Sequence, residues 1–275
     1  KSPRDIPRVL ADFGYTMPKT VGMELDVVPV SVMQRFQKGL GECAVSDATP
    51  LIRNMRAVKS NYEINILKDA ALIVDKVCKR VPEILKAGMT DLELAAELEF
   101  VARKAGHQGL VRMRGFNNEL FYGHAFSGPD SAVPTYSDTP LGGVGLNPSF
   151  PQGASYKSVR NNEMVTVDFV AVFDGYLVDQ TRMFCIDEPP QKMAKAYVDM
   201  VLILEHAKKI AKPGATWGGV YDECLQMACD MGFQDHFMGA KGSQVSFIGH
   251  GVGVEVDEYP FIARGFNDYE LQENM

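Results

Sequence analysis

Two runs of β-branched and aromatic residues, between Met164 and Phe184, flank the pair Asp174-Gly175. Residues of this kind favour β-strands, and Asp-Gly is the strongest short sequence signal for a two-residue hairpin loop. The pattern therefore predicts an antiparallel hairpin in which Phe173 pairs with Tyr176.

This hairpin would bring two acidic residues onto one face of a sheet. Counting back from the loop, Asp168 lies opposite Thr181, and Asp179 lies opposite Val170. Because strand side chains alternate faces with period two, the two aspartates are then diagonal neighbours on the same face. Two carboxylates among Val, Phe, Met and Leu repel each other, and a divalent cation between them would remove that cost. The alternative is that one aspartate caps a strand end while the other pairs with Arg182.

Helical periodicity and capping residues predict a pair of helices in the first half of the chain. The first helix runs from Ser60 to about Leu85. Thr90-x-x-Glu93 is a capping box, which predicts that a second helix begins there and continues to about Ala105.

The second half of the chain repeats this arrangement. Its helices are predicted from about Gln191 to Ile210 and from Thr216 to about Met231. The sequence Gly-x-Thr precedes the second helix of both pairs, at Gly88 and again at Gly214, a separation of 126 residues (214 − 88). The recurrence indicates an internal duplication, although two similar helix starts can also arise by chance.

Residues 1–55 have a pattern of their own. It consists of an amphipathic stretch at Ile6–Phe13, a strand-like stretch from Gly22 to Val28, a helix at Val32–Leu40, and an apolar end at Thr49–Ile52. So short a segment buries little apolar surface by itself. We therefore expect it to pack on the rest of the protein or on a second copy.

The segment Gly249-His250-Gly251-Val-Gly253 follows a short apolar run. Glycine lets other groups approach the backbone closely, and imidazole is a common ligand of transition metals. Together with Asp168 and Asp179, His250 would suit manganese, cobalt, zinc or iron better than calcium. A purely structural histidine is the alternative. The glycine spacing does not match a dinucleotide-binding loop.

These segments together resemble the pita-bread metallopeptidases, which include methionine aminopeptidase, aminopeptidase P, prolidase and their non-peptidase relative creatinase. The resemblance covers roughly residues 51–275. It rests on Arg56-Ala-Val-Lys59-Ser60-x-x-Glu63-Ile, on Asp168-(x)10-Asp179-x-Thr181-Arg182 and on Gly249-His250-Gly251-Val-Gly253-Val-Glu255.

The resemblance implies an α+β protein with the pita-bread (creatinase/aminopeptidase) fold and its pseudo-twofold. Residues 56–275 would form the pita-bread domain without its C-terminal strands. Residues 1–55 would be the last part of a creatinase-type N-terminal α/β domain.

The activity that the resemblance implies is metal-dependent hydrolysis of an amide bond, as in an aminopeptidase or dipeptidase of the Xaa-Pro peptidase type. Asp168, Asp179 and His250 would bind two divalent ions of manganese, cobalt or zinc in the complete protein. Short peptides or other small amides would be the substrates. Two alternatives are a catalytically inactive pita-bread module that binds peptides or proteins, and a creatinase-like hydrolase of another C–N bond.

The chain also departs from the family pattern. The two glutamates that complete the family's metal site, one of them the general base, would lie beyond Met275, so these 275 residues alone are expected to be inactive and can lack metal. Asp257 stands where proline-specific members have a histidine, and residues 127–145, where they have another, contain none. Asp257, Tyr136 and His124 are the candidates for substrate contact, with a surface or hydrogen-bonded role as the alternative for His124.

Composition limits the partners. The formal net charge of −7 argues against nucleic acid, and no apolar run approaches the length of a membrane span. The five cysteines lack any CxxC motif and are typical of reduced thiols in a cytoplasmic protein. We expect a homodimer.

Overall fold

The computed structural model describes residues 2–115 and 118–275. These divide into two compact units, one with residues 2–56 and 114–115 and one with residues 57–113 and 118–275. None of the helices in the described residues has both the length and the apolar character needed to cross a membrane.

The first unit has a small α/β arrangement. Its elements are α1 (Ile6–Asp12), β1 (Thr20–Met23), α2 (Val30–Leu40), β2 (Ala44–Asp47) and α3 (Thr49–Ala57), the last residue of which belongs to the second unit. Strands β1 and β2 are parallel, with Thr20 opposite Ala44. A parallel pair needs a crossover connection, which α2 supplies here.

The strand predicted from Gly22 to Val28 is wrong in its position, since β1 ends at Met23. The following residues form a turn, in which the carbonyl oxygen of Glu24 accepts the N–H groups of Val27 and Val28 at 3.3 and 3.2 Å. Backbone N–H groups that are bonded within a turn are not available to pair with a neighbouring strand. The side chains of Glu24 and Asp26 both bind the guanidinium group of Arg114, at 3.0 and 2.6 Å.

The helices of the second unit confirm the predicted pairs. They are α4 (Asn61–Ile84), α5 (Asp91–Lys104), α6 (Gln191–Ile210) and α7 (Trp217–Asp230). Ser60 and Thr90 cap α4 and α5, each in a capping box with the glutamate three residues later. In both boxes the cap side chain accepts a backbone N–H while the glutamate accepts the N–H of the cap residue.

The repeated Gly-x-Thr sequence has the same backbone geometry in both halves. Gly88 and Gly214 both have a φ angle of +90°, which glycine adopts without strain. Thr216 caps α7 by accepting the N–H of Gly219, as Thr90 caps α5. The two halves of the unit therefore begin their second helices in the same way.

Strands β3 (Gly123–Ser127), β4 (Met164–Phe173) and β5 (Tyr176–Cys185) form an antiparallel sheet in that order. Strands β6 (Phe247–Gly251) and β7 (Glu258–Ala263) form a separate antiparallel pair. This pair shifts register between Phe247 and Gly249 and again between His250 and Gly251.

The largest core lies between α4, α5 and one face of the three-stranded sheet. Fully buried members include Val74 and Val77 of α4, Leu94 and Leu98 of α5, and Val165, Val167 and Ala171 of β4. Since strand side chains alternate, Asp168 and Val170 lie on the opposite face, where Val170 packs with Leu177 and Val256. The helices thus cover one face of the sheet and leave the other for the site.

Candidate metal centre

The hairpin that carries the two aspartates has the predicted register. Phe173 lies opposite Tyr176, Asp168 opposite Thr181, and Asp179 opposite Val170. Asp174 and Gly175 form the loop with φ angles of +45° and +81°, as a two-residue loop of this type requires. The prediction that both carboxylates lie on the same face is confirmed.

His250 lies on β6 and faces this hairpin. Its Nε2 atom is 3.6 Å from Oδ2 of Asp179 and 3.2 Å from Oδ1 of Asp257. Its Nδ1 atom lies 3.1 Å from the carbonyl oxygen of Gly251. Because that oxygen can only accept, Nδ1 donates to it, and Nε2 is the ring nitrogen that faces the two carboxylates. The expected convergence of Asp179 and His250 is therefore present.

The glycines beside His250 have different environments. A Cβ atom on Gly251 would lie 2.2 Å from the carbonyl oxygen of Tyr259, so the two strands approach too closely for any side chain. At Gly249 the nearest atom to such a Cβ is Cγ1 of Ile262 at 4.0 Å. Only Gly251 is required for the approach of β6 to β7.

Burial and mutual repulsion of the carboxylates determine the charges in this site. The pKa of Asp179 is raised to about 6, chiefly by burial and also by the charges of Asp168 and Asp257, while the positive charge of His250 opposes the rise. Burial alone would lower the pKa of His250, but Asp179 and Asp257 outweigh that effect and raise it. Each group therefore depends on the charge of its neighbours.

Asp257 completes the acidic surroundings of His250. Burial raises the pKa of its carboxyl group, His250 opposes that rise, and the charges of Asp138 and Asp168 add to it. Asp138 belongs to residues 127–145, the stretch in which proline-specific members of the resembling family carry a histidine and this chain has none. The charge of Asp138 therefore adds to that of the carboxylates around His250.

These residues have the chemistry that a divalent cation requires. The three carboxylates of Asp168, Asp179 and Asp257 carry more negative charge than the single positive charge that His250 could supply. A set of carboxylate oxygens and one imidazole nitrogen suits manganese, cobalt or zinc. Asp168 accepts a hydrogen bond from Thr181 at 2.7 Å. Among the described residues, however, no three His, Cys, Asp or Glu side chains already stand in an arrangement that could hold a metal ion. A cation would therefore require rotation of side chains or additional ligands.

Comparison with known proteins decides the family. The model of metallopeptidase family M24 matches residues 65–275, and that of the creatinase/prolidase N-terminal domain matches residues 1–58. The chain belongs to metallopeptidase family M24.

Two curated proteins are similar over most of the chain. A probable dipeptidase PepE of Mycobacterium tuberculosis is 29% identical over 251 residues, which are 91% of this chain and 58% of that protein. The Xaa-Pro dipeptidase of Pyrococcus furiosus is 26% identical over 257 residues, 94% of this chain and 64% of that protein. The chain thus spans less than two thirds of the length of these curated relatives.

Solved structures show the fold. The X-Pro aminopeptidase of Thermotoga maritima superimposes with a TM-score of 0.78 at 28% identity, covering 99% of this chain and 67% of that one. The prolidase of Pyrococcus furiosus gives the same TM-score at 24% identity, with 99% and 69% coverage. The predicted pita-bread fold is confirmed.

The two remaining candidates for substrate contact lie in different environments in this M24 chain. His124, opposite Asp168 on β3, is buried; its ring stacks on Phe126 at 4.8 Å and meets Phe121 edge-on at 5.3 Å. Its Nδ1 atom has no hydrogen-bond partner among the described residues, and burial lowers its pKa while Asp168 opposes that. A surface role for His124 is therefore wrong. Tyr136 is 59% exposed, with its ring edge-on to Phe150.

Two buried charged groups, one beside the site and one on the helix-covered face of the sheet, were not found from the sequence. Lys59 forms a buried ion pair with Glu258, next to Asp257. Asp91 is buried and accepts a hydrogen bond from Ser127 at 2.7 Å. Charged residues inside apolar stretches were the available signal, but their partners are far away in the sequence.

Proposed function

We propose that this protein is a metal-dependent hydrolase that cleaves an amide bond in short peptides, as an aminopeptidase or a dipeptidase. The observation that carries the proposal is the convergence of Asp179 and His250, 3.6 Å apart, beside Asp168 on the same sheet face. Membership of family M24 and the named dipeptidases among its relatives support it.

Asp168, Asp179 and His250 are the proposed metal ligands. A bound cation would supply a water molecule of lowered pKa and polarise the carbonyl group of the substrate. Backbone hydrogen bonding at Nδ1 orients the ring of His250 and keeps Nε2 available. The family pattern and the mixed oxygen and nitrogen donors favour two ions of manganese, cobalt or zinc.

A short peptide with a free α-amino group is the proposed substrate. Asp257 and Asp138 add negative charge beside the ligands, which favours a positively charged amine next to them. Asp257 occupies the position of a histidine in proline-specific relatives. Whether proline is required is therefore the first question for a peptide library.

We further propose that the protein is a cytoplasmic homodimer with neither nucleic acid nor a membrane as a partner. All five cysteines are free thiols. Large apolar side chains of the first unit, such as Phe13, Tyr15 and Val30, are more than two thirds exposed. Covering them in a second copy would be favourable. Light scattering of the purified protein tests the dimer.

The test of the activity uses the full-length protein. Bound metal would be measured by mass spectrometry, and turnover on a dipeptide and tripeptide library with and without proline. We expect turnover that requires manganese, cobalt or zinc and that disappears in Asp179→Asn. Asp235→Asn, at an exposed aspartate paired with Lys241, is the matched control and should remain active. Absence of turnover across the library with metal present would contradict the proposal.

A peptide-binding module without catalysis is the second candidate. The observation that favours it is the lack of a ready metal-holding group among the residues that the structure describes. This candidate predicts peptide binding by calorimetry without metal and without cleavage, whereas the hydrolase predicts metal-dependent cleavage.

A further inference from the structure

A buried ion pair lies beside the proposed ligands and belongs to neither the ligands nor the substrate contacts. Nζ of Lys59 is 3.3 Å from Oε2 of Glu258, and the two side chains are only 5% and 4% exposed. Lys59 also donates to the carbonyl oxygen of Ala57 at 3.3 Å. Removing two charges from water costs about as much as their attraction returns, so such a pair contributes mainly a fixed geometry.

The second oxygen of Glu258 organises the turn that precedes it. Oε1 accepts the backbone N–H groups of Val254 and Glu255 at 3.0 and 3.1 Å. Hydrogen bonds to a charged acceptor are stronger than those between neutral groups. A Cβ atom on Gly253 would lie 2.2 Å from Oε2, so glycine is needed for the carboxylate to reach the turn.

This turn is connected to the metal centre at two points. The carbonyl oxygen of Gly253 accepts the N–H of Leu177 at 2.6 Å, and Leu177 lies two residues before Asp179 on β5. At the other end, Asp257 directly precedes Glu258 and lies 3.2 Å from His250. Movement of the Glu258 carboxylate would therefore displace Asp257 and loosen the support of β5.

We propose that Lys59 and Glu258 are positioning residues of the metal centre, which hold the turn Gly253–Asp257 so that Asp257 and Asp179 both face His250. Lys59 compensates the charge of Glu258 and keeps its carboxylate within the turn. This inference rests on the proposed function, because the affected ion is the one proposed to bind there.

The first test measures cobalt binding by the full-length protein from its visible absorption. Lys59→Met and Glu258→Gln each break the pair, and the double variant Lys59→Met/Glu258→Leu removes both charges. Replacing a buried pair by apolar residues generally restores stability, so the double variant guards against simple unfolding. We expect all three to lower the affinity for Co²⁺ at least about 10-fold, the usual size for groups that orient ligands.

The control variant is Lys157→Met, which breaks the partly buried pair with Glu163 (2.8 Å) away from this turn. It should lower the melting temperature without changing the affinity for Co²⁺. Wild-type affinity in the folded double variant would overturn the inference.

A second measurement separates this inference from the proposed function. Hydrogen exchange by NMR reports the amides of Val254 and Glu255, which should exchange faster in the double variant but not in Lys157→Met. If the wild-type protein binds no Co²⁺, the proposed function fails, and hydrogen exchange of the Val254 and Glu255 amides becomes the test of the positioning role. Faster exchange in the double variant supports that role, and unchanged exchange overturns it.

Discussion

His250 lies 3.6 Å from Asp179, although the two residues come from different sheets of the second unit. The same nitrogen, Nε2, also lies 3.2 Å from Asp257, so two carboxylates face one side of the ring. This relationship joins the β4–β5 hairpin to the β6–β7 pair, and the proposed metal centre lies between them. The positive charge of His250 also offsets the repulsion between the carboxylates of Asp179 and Asp257.

Replacing Asp179 with Asn should weaken metal binding by about 10-fold to 100-fold or more, since an amide oxygen is a neutral and weaker donor than a carboxylate. Calorimetric titration of the full-length protein with Mn²⁺ or Co²⁺ measures the change. Asp235→Asn removes an exposed carboxylate that pairs with Lys241 and should leave the affinity as it is. Equal losses in both variants would show a general charge effect instead.

The glycines on either side of His250 should respond differently to alanine. Gly251→Ala places a methyl group 2.2 Å from the backbone of Tyr259 and forces β6 and β7 apart, at a cost of about 1–3 kcal/mol. Gly249→Ala meets nothing closer than 4.0 Å and should change stability by much less. Urea denaturation of the two variants provides the comparison. Similar stabilities of the two variants would mean that β6 and β7 are less closely packed at Gly251 than the 2.2 Å distance implies.

Asp91 should make stability depend on pH. Burial raises the pKa of Asp91 to about 6, while hydrogen bonds from Ser127 and the charge of Lys157 oppose that rise. Between its ordinary value of 3.8 and about 6, the folded protein then binds more protons than the unfolded chain. The free energy of unfolding should therefore decrease by about 1–2 kcal/mol, after allowance for screening, as pH rises through this window. Above the window it should stay level.

Asp91→Asn removes this titration, so the decrease between pH 4 and 6, about the window above, should disappear. Chemical denaturation at a series of pH values measures it. An unchanged slope in the variant would assign the pH dependence to other groups.

The two equivalent helix caps should differ in strength. Thr90 takes part in a capping box, in which Glu93 also accepts the N–H of Thr90 at 2.7 Å, whereas Thr216 accepts only the N–H of Gly219 at 3.1 Å. Removing a threonine cap costs about 1 kcal/mol. We expect Thr90→Ala to cost more than Thr216→Ala, because it also frees Glu93. Thermal unfolding of both variants tests this order.

Local chemistry explains which parts of the fold could be predicted. The loop Asp174-Gly175 determines the pairing of its neighbours, and period-two alternation then places Asp168 and Asp179 on one face. Capping residues likewise determine where α4 and α5 begin. These outcomes depend on residues within a few positions of one another, so the amino-acid order alone was sufficient.

Contacts between distant residues decided the rest. Strand β1 ends at Met23, and Asp26 in the turn that follows binds Arg114, 88 residues later. The ring of His124 is enclosed by Phe121 and Phe126 and is not at the surface. Lys59 and Glu258, 199 residues apart, form a buried pair that neither segment indicates by itself.

The sequence by itself thus determined the helices, the hairpin and the side chains available for a metal. Only the tertiary structure decided that Asp257 lies beside His250 and that Glu258 holds the turn between them. The physical reason is that local hydrogen bonding acts over a few residues, whereas burial and charge pairing depend on which surfaces pack together.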